Sequence, residues 1–317
     1  MSIFDKEKAI FLAPLAGYTD RSFRRLAILN GADASVTEMV SAEGLARESD
    51  KTEVLLEKYD ESEKLIAQIF APCLDPVERC LERLLNHDVH AIDLNCGCPV
   101  PKVVKTGAGS ALMKDPNNMY EIVKFLKENT NVPISVKFRL GWDADSINYL
   151  DFAALAVKAG ASALTLHART RSQGYSGTAS HQDIKKLKEE FKDTKVKIFA
   201  SGDLFTPEDG ARVFEECKVD GIMYARGAIG NPFIFKQTKE LLEKGSYSEI
   251  SIEERVAAMT QHLDYMIQDF GLDLAVREMR KHACSYIKGL PSSSKVKVKI
   301  VNAKTRDEYI NSLNDLV

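Results

Sequence analysis

The residues of this chain able to do chemistry fall in a few short blocks, each directly after a β-rich run. They are Ala13-Pro14-Leu15-Ala16-Gly17, Gln68, Asn95-Cys96-Gly97-Cys98-Pro99, Lys137-Phe138-Arg139, His167-Ala168-Arg169-Thr170-Arg171, Ser201-Gly202-Asp203 and Ala225-Arg226-Gly227. Cys98 stands out, because a thiol in a loop after Asn95 and before a proline suits a proton donor or nucleophile better than a packed small hydrophobe. A C-x-C pair without a second pair nearby lacks the four ligands of a structural zinc site, so no metal is expected. Gly202 and Gly227 would let backbone amides approach a phosphate, with Arg226 adding fixed charge. No G-x-G-x-x-G follows a strand, so one such cradle points to a mononucleotide, and FMN fits. Gln68 can pair with the donor–acceptor edge of an isoalloxazine ring, and Lys137 can place charge where the ring gains electrons. Each residue also has a purely structural reading. Lys137 could be half of a barrel ion pair, Gln68 a satisfied polar side chain, and His167 a paired core histidine. Their shared position after strands favours the functional reading.

The elements that must position these residues repeat. Runs rich in Val, Ile, Leu and Ala cover 10–17, 34–41, 65–71, 91–97, 133–140, 163–169, 196–203 and 221–228. They are dense rather than alternating, as in parallel strands covered on both faces. Helix starts intervene, most clearly at Thr206-Pro207-Glu208-Asp209, with a cap, a proline and two first-turn acids. Asp115-Pro116 and Thr19-Asp20 open helices similarly. Eight strand–helix units predict a (β/α)8 TIM barrel, with an open doubly wound sheet as the alternative. The polar residues at strand ends favour the barrel, which collects its active site there. Past Lys244-Gly245-Ser246 the pattern changes. A capping box at Ser251–Glu254 and apolar residues at Val256, Met259, Leu263, Met266 and Ile267 predict a smaller, all-helical C-terminal domain. The expected division is a catalytic barrel over 1–244 and a helical domain over 245–317.

Composition narrows the class. At 317 residues, 44% hydrophobic and 28% charged, the chain can build a globular core. No apolar run reaches the ~20 residues of a membrane span. The N-terminal stretch lacks a basic start and a long apolar segment, and six scattered cysteines make no disulfide framework. These features predict a soluble, reduced, cytoplasmic protein with no membrane association and no obligate protein partner. The net charge of −3 conceals a gradient. Residues 277–306 carry nine Lys/Arg against Glu278 alone, a net +8 that leaves −11 for the rest. Such a segment suits a polyanion, or is simply a solvated face.

The order of these blocks resembles the tRNA-dihydrouridine synthases, most closely the bacterial B-type members. Ala13-Pro14-Leu15-Ala16-Gly17-Tyr18-Thr19-Asp20 resembles that family's Pro-Met-Ala-Gly-x-Thr-Asp opening, and Asn95-Cys96-Gly97-Cys98-Pro99 its N-x-G-C-P signature. Lys137-Phe138-Arg139, the 167–171 block, Arg226-Gly227-Ala228-Ile229-Gly230-Asn231-Pro232 and Arg280-Lys281-His282 follow in order, so the resemblance covers nearly the whole chain. It implies a barrel holding FMN, reduction of FMN by NADPH, a helical domain gripping tRNA, and reduction of a uridine C5–C6 bond, with hydride reaching C6 from the flavin. Cys98 would protonate C5, a role that suits a thiol mostly protonated at neutral pH. By family position the FMN contacts would be Pro14, Leu15, Ala16, Gln68, Lys137, His167, Ser201, Gly202, Asp203, Ala225 and Arg226. Asn95, Lys102, Arg139 and Arg171 would hold the uridine or its phosphate. Ser201 and Ala225 depart from the more usual Asn and Gly, which implies backbone-only contacts there, and Cys96 has no assigned role. A small-molecule flavin oxidoreductase of the dihydroorotate dehydrogenase type is the alternative, but it would not need the basic segment. A non-catalytic RNA-binding barrel would not need Gln68, Lys137, His167 and Arg226.

Overall fold

The structure is a computed structural model describing residues 2–316. Nine short strands form one parallel sheet: β1 (Ala9–Leu12), β2 (Ala34–Val36), β3 (Val40–Ser41), β4 (Leu65–Phe70), β5 (Ala91–Cys96), β6 (Ile134–Arg139), β7 (Ala163–His167), β8 (Lys197–Ser201) and β9 (Gly221–Tyr224). The sheet closes because β1 pairs with β9 and β2 with β4, while β3 continues the course of β2 along β4. All pairings among these strands are parallel, and the open-sheet alternative falls with the closure. The molecule is a TIM barrel with eight strand positions, each followed by helical segments.

Period-two alternation sorts the strand residues. Ile10, Leu12, Ala67, Ile69, Leu94, Cys96, Val136, Phe138, Leu164 and Leu166 join the core between barrel and helices. The opposite parity fills the barrel. At the bottom Phe4, Phe11, Phe199 and Met223 plug it, with Phe11 stacked on Phe199 at 4.9 Å between ring centroids. Higher up, the inward positions turn polar, with Gln68, Asp93, Ser135 and Thr165 buried. Because side chains alternate, each inward residue above the plug necessarily faces the mouth.

Local signals placed the helices as their chemistry requires. Thr206 and Ser251 each form a reciprocal capping box with Asp209 and Glu254, and Asp20 caps the helix Arg21–Leu29 by accepting from the Phe23 amide. Asp115 precedes the helix Pro116–Asn129 without a side-chain cap bond. The helix Ile234–Lys244 stops at Gly245, in the left-handed region at φ 76°. Four helices follow, Ile252–Phe270, Leu272–Tyr286, Ser293–Asn302 and Arg306–Leu313. They share a second core that includes Met259, Leu263, Met266, Met279, Tyr286 and Ile300, joined from the barrel side by Leu26. Arg21 and Ser22 both bond to Asp269, tying the first barrel helix to these helices. No described helix is long and apolar enough to cross a membrane.

Candidate active site

A cavity of about 440 Å³ opens at the C-terminal ends of the strands. Its wall includes Pro14, Leu15, Ala16, Gln68, Asn95, Cys98, Lys137, Arg139, His167, Ser201, Gly202, Asp203, Ala225 and Arg226. Most residues singled out in sequence therefore converge, while Gly227, Lys102 and Arg171 do not line the cavity. Lys102 is exposed on the short helix Pro101–Val104, and Arg171 lies on the rim against Trp142. The reason for the convergence is parity: Gln68, Asn95, Lys137, Arg139, His167 and Ser201 all occupy inward positions. Cys96 has the opposite parity and packs wholly buried in the outer core, where burial pushes its thiol far up and inert.

Cys98 lines this cavity and is 9% exposed as a residue. Asn95 shapes its loop, its Oδ1 accepting from the Gly97 and Cys98 amides at 3.2 and 2.9 Å. The Ser110 amide donates to the Cys98 carbonyl at 3.1 Å from the segment Gly109–Met113. That approach needs a glycine at 109. It has φ 63°, and a Cβ there would come within 2.9 Å of the Cys98 carbonyl oxygen and 3.2 Å of its Cβ. Burial raises the thiol's pKa, and the Val100 amide and the charges of Arg139 and Lys137 offset only part of that. The group is protonated at neutral pH, ready to donate rather than to attack.

Below the thiol runs a buried polar chain. Asn95 Nδ2 donates to Gln68 Oε1 at 2.8 Å, Gln68 Nε2 to Asp93 Oδ2 at 2.6 Å, and Ser135 Oγ to Asp93 Oδ1 at 2.5 Å. Burial raises the Asp93 pKa despite those two donors. Gln68 keeps one amide hydrogen and one lone pair for a ligand. Lys137 makes neither a hydrogen bond nor an ion pair to protein among the described residues, so the barrel ion-pair reading fails: Asp93 is bonded by Gln68 and Ser135 and acts on the amine only through space. Burial, then repulsion from Arg139, pulls its amine down to about 8. A cation held this way, in a cavity without an acid partner, is suited to developing negative charge on a bound group.

The ends of β8 and β9 form the other wall. Among the described residues, the amides of Gly202, Asp203, Arg226 and Gly227 donate to no carbonyl, as an anion cradle requires. Gly227 is small for a different reason than ligand approach, since a Cβ there would meet the Leu204 carbonyl oxygen at 2.4 Å. Arg226 is clamped between Tyr175 and Phe205, at 4.8 and 4.9 Å from their centroids, and donates to Asp203 at 3.3 Å. Asp203 also accepts from Arg169 at 2.6 Å and from the Ala179 amide at 2.8 Å. Its carboxylate therefore buttresses Arg226 and the 169–179 loop. His167 is pushed far down by burial, then by Lys137, Arg139 and other nearby arginines, and stays neutral.

Arg139 also serves the walls. Its guanidinium donates to the carbonyls of Gly97, Thr170 and Gly174 at 2.7, 3.0 and 2.9 Å, locking the Cys98 loop to the loop after β7. Asp93 had no role assigned from the sequence, although strand parity places it inward; Arg169 fell within the 167–171 block without a role of its own. Tyr175 and Phe205 sit on loops, where no periodicity signals a direction. The basic segment 277–306 is partly neutralised in space. Lys295 and Lys299 meet Asp315, Arg306 meets Asp264, and Lys281 meets Glu278. Lys288, Lys297 and Lys304 remain exposed and outside these pairs.

Fold and site together define a (β/α)8-barrel enzyme with a polar, thiol-edged cavity. The family model described as dihydrouridine synthase matches residues 11–316. A probable tRNA-dihydrouridine synthase of Treponema pallidum is 36% identical over 313 residues, covering 96% of this chain and 92% of that one. The tRNA-dihydrouridine synthase B of Pasteurella multocida is 34% identical over 288 residues, covering 90% and 86%. Among solved structures, histamine dehydrogenase from Rhizobium sp. 4-9 superposes with a TM-score of 0.56 at 14% identity, covering 81% of this chain and 48% of that one. At that identity the likeness concerns the fold alone, and this chain spans about half the neighbour's length. The chain belongs to the dihydrouridine synthase family, oxidoreductases that act on the C5–C6 bond of uridine in tRNA.

Proposed function

We infer that the chain is an FMN-dependent, NADPH-driven tRNA dihydrouridine synthase, with residues 1–244 as its catalytic part and 245–317 gripping the RNA. The observation that carries this is the protonated Cys98 thiol at the edge of a cavity whose lysine has no protein partner. The donor set suits FMN. The free amides at 202, 203, 226 and 227, with Arg226, would hold its phosphate; Gln68 and Lys137 would face its ring; and Pro14, Leu15 and Ala16 offer a small-residue wall.

When bound, FMN supplies hydride for uridine C6. Cys98 holds the proton that goes to C5, and its raised pKa keeps that proton in place until the carbon becomes basic. Asn95 fixes the direction of the thiol through the backbone. Arg139 holds the facing loops and keeps further N–H groups for a uracil carbonyl, while Lys102 and Arg171 lie where they can meet phosphates outside. His167, neutral, can donate or accept without competing for charge. Reduction of a tRNA base takes place where tRNA is matured, which for such an enzyme is the cytoplasm. A uridine stacked within folded RNA must leave its stack to enter a cavity at the barrel mouth, which assigns the exposed lysines of 277–306 to the RNA backbone.

The deciding assay incubates the purified protein with NADPH and unmodified tRNA and measures dihydrouridine, with Cys98→Ala in parallel. Product from wild type, and a loss of roughly 10²-fold or more in the variant with flavin reduction retained, is expected. NADPH oxidation without dihydrouridine would instead support the small-molecule flavin reductase.

A further inference from the structure

The rim of the barrel carries a basic feature that the cavity does not use. Trp142, the only tryptophan, follows β6; Lys114 follows the turn Gly109–Met113 after β5; Arg171 follows β7. The Lys114 ammonium lies 4.8 Å and the Arg171 guanidinium 4.5 Å from the indole centroid. Neither cation makes an ion pair among the described residues, and Arg171 Nε is buried without a hydrogen-bond partner. The nearby carboxylates are engaged locally, Asp115 by Asn118 and Asp143 by Ser146.

Backbone bonds hold this arrangement in place. The Arg171 and Ser172 amides donate to the Gly141 and Trp142 carbonyls, each at 2.9 Å, and Asn148 Nδ2 donates to the Met113 carbonyl at 2.8 Å. A Cβ at Gly141 would meet the Ser146 carbonyl oxygen at 2.1 Å, so the loop after β6 is locked as well. Two like charges are thus gathered on one indole without an ion pair among the described residues, a local excess of positive charge that attracts an anion. With the indole against the guanidinium and Nε buried, the terminal N–H groups are the ones left for phosphate oxygens.

Position gives the partner. In the barrel order β6 stands four strands from β1, across the mouth from the helix Arg21–Leu29 on which the C-terminal helices pack. We propose that Lys114 and Arg171, presented on Trp142, form a second phosphate clamp for the tRNA, on the rim opposite the basic C-terminal helices. The RNA then spans the mouth with both flanks held, and the target uridine enters between them. This rests on the tRNA-reducing function inferred above.

The test measures tRNA binding by the flavin-loaded protein across a series of salt concentrations, with dihydrouridine formation followed in parallel. The variants are Lys114→Met, Lys114→Glu and Trp142→Ala, with Lys124→Glu, exposed on the outer helix Pro116–Asn129, as a charge control. Loss of one phosphate contact should lower the log–log salt slope by roughly 0.7 to 0.9 for Lys114→Met, and binding should weaken about fivefold for Lys114→Glu. Trp142→Ala should weaken binding several-fold, while Lys124→Glu stays close to wild type. Wild-type affinity and slope in the Lys114 and Trp142 variants, or an effect of Lys114→Glu on the KM for NADPH in place of tRNA, would overturn the clamp and leave the function standing. A wild type that forms no dihydrouridine would instead overturn the function.

Discussion

Asn95 Oδ1 accepts the Cys98 backbone amide at 2.9 Å while Asn95 Nδ2 donates to Gln68 Oε1 at 2.8 Å, so one carboxamide sets both the proton donor and the polar floor beneath it. Its truncation leaves the Gly97 and Cys98 amides and the Gln68 carbonyl without this partner in a buried place. The expected outcome for Asn95→Ala is a loss of about 1–3 kcal/mol in stability. The freed loop should also expose Cys98, so that its alkylation by a thiol reagent accelerates while dihydrouridine formation drops. Wild-type alkylation kinetics in that variant would show that Asn95 does not hold the loop.

Lys137 trades stability for function. Its folded pKa of about 8 lies below the unfolded value, so between those two pH values the unfolded chain binds more protons and stability rises with pH. Below pH 8 the buried charge weakens the cofactor-free protein. Lys137→Met should therefore raise the melting temperature of the stripped protein at pH 7, yet weaken flavin retention. An unchanged or lower melting temperature would count against the buried-charge account.

His262 and His282 stack edge to face at 4.5 Å beneath Phe23 and Tyr18, where the barrel meets the C-terminal helices. Burial, then the nearby Lys281, pulls His262 down to about 3; burial, then His262, takes His282 well below its usual value. Both groups bind protons more readily unfolded, so their contribution is present above about pH 6.5 and is lost as pH falls below it. Burial, chiefly, raises the nearby Asp20 to about 6, which acts in the opposite sense from the usual carboxylate range up to that value. The clean comparison is with His262→Phe: the wild-type melting temperature should fall more steeply than the variant's from pH 7 to pH 5. Parallel curves would remove His262 from the account.

The basic segment is not uniform. Lys295 and Lys299 share Asp315, whereas Lys297 is exposed and outside these pairs. Charge reversal of all three should weaken tRNA binding without loss of flavin. Lys297→Glu alone should cause more of that weakening than Lys295→Glu, because part of the field of Lys295 is already compensated. Equal effects would mean that total charge alone sets the affinity.

Much of this molecule was legible along the chain because its information is local. The dense apolar runs marked the strands, the Thr206 and Ser251 boxes marked helix starts, and the order of polar residues after strands already contained the cavity wall. Strand alternation explains why Gln68, Asn95, Lys137, Arg139 and His167 meet: equal parity on parallel strands points them into one barrel. It also explains why Cys96, next to Asn95, faces away from the site; Cys98 enters it because the chain has left the strand there, in the loop that Asn95 holds. What the chain alone could not decide depends on contacts between distant segments. Whether Lys137 has an acid within bonding reach is a through-space matter: Asp93 is bonded to Gln68 and Ser135, and no ion pair to Lys137 forms among the described residues. The charge of segment 277–306 depended on Asp264 and Asp315 folding back onto it. Lys114, Trp142 and Arg171 come from three loops without periodicity, and only closure of the barrel, with the backbone bonds that tie those loops, puts two cations on one indole. Residue types and their spacing determined the fold and the chemistry available; through-space pairing decided which charges stay free to act.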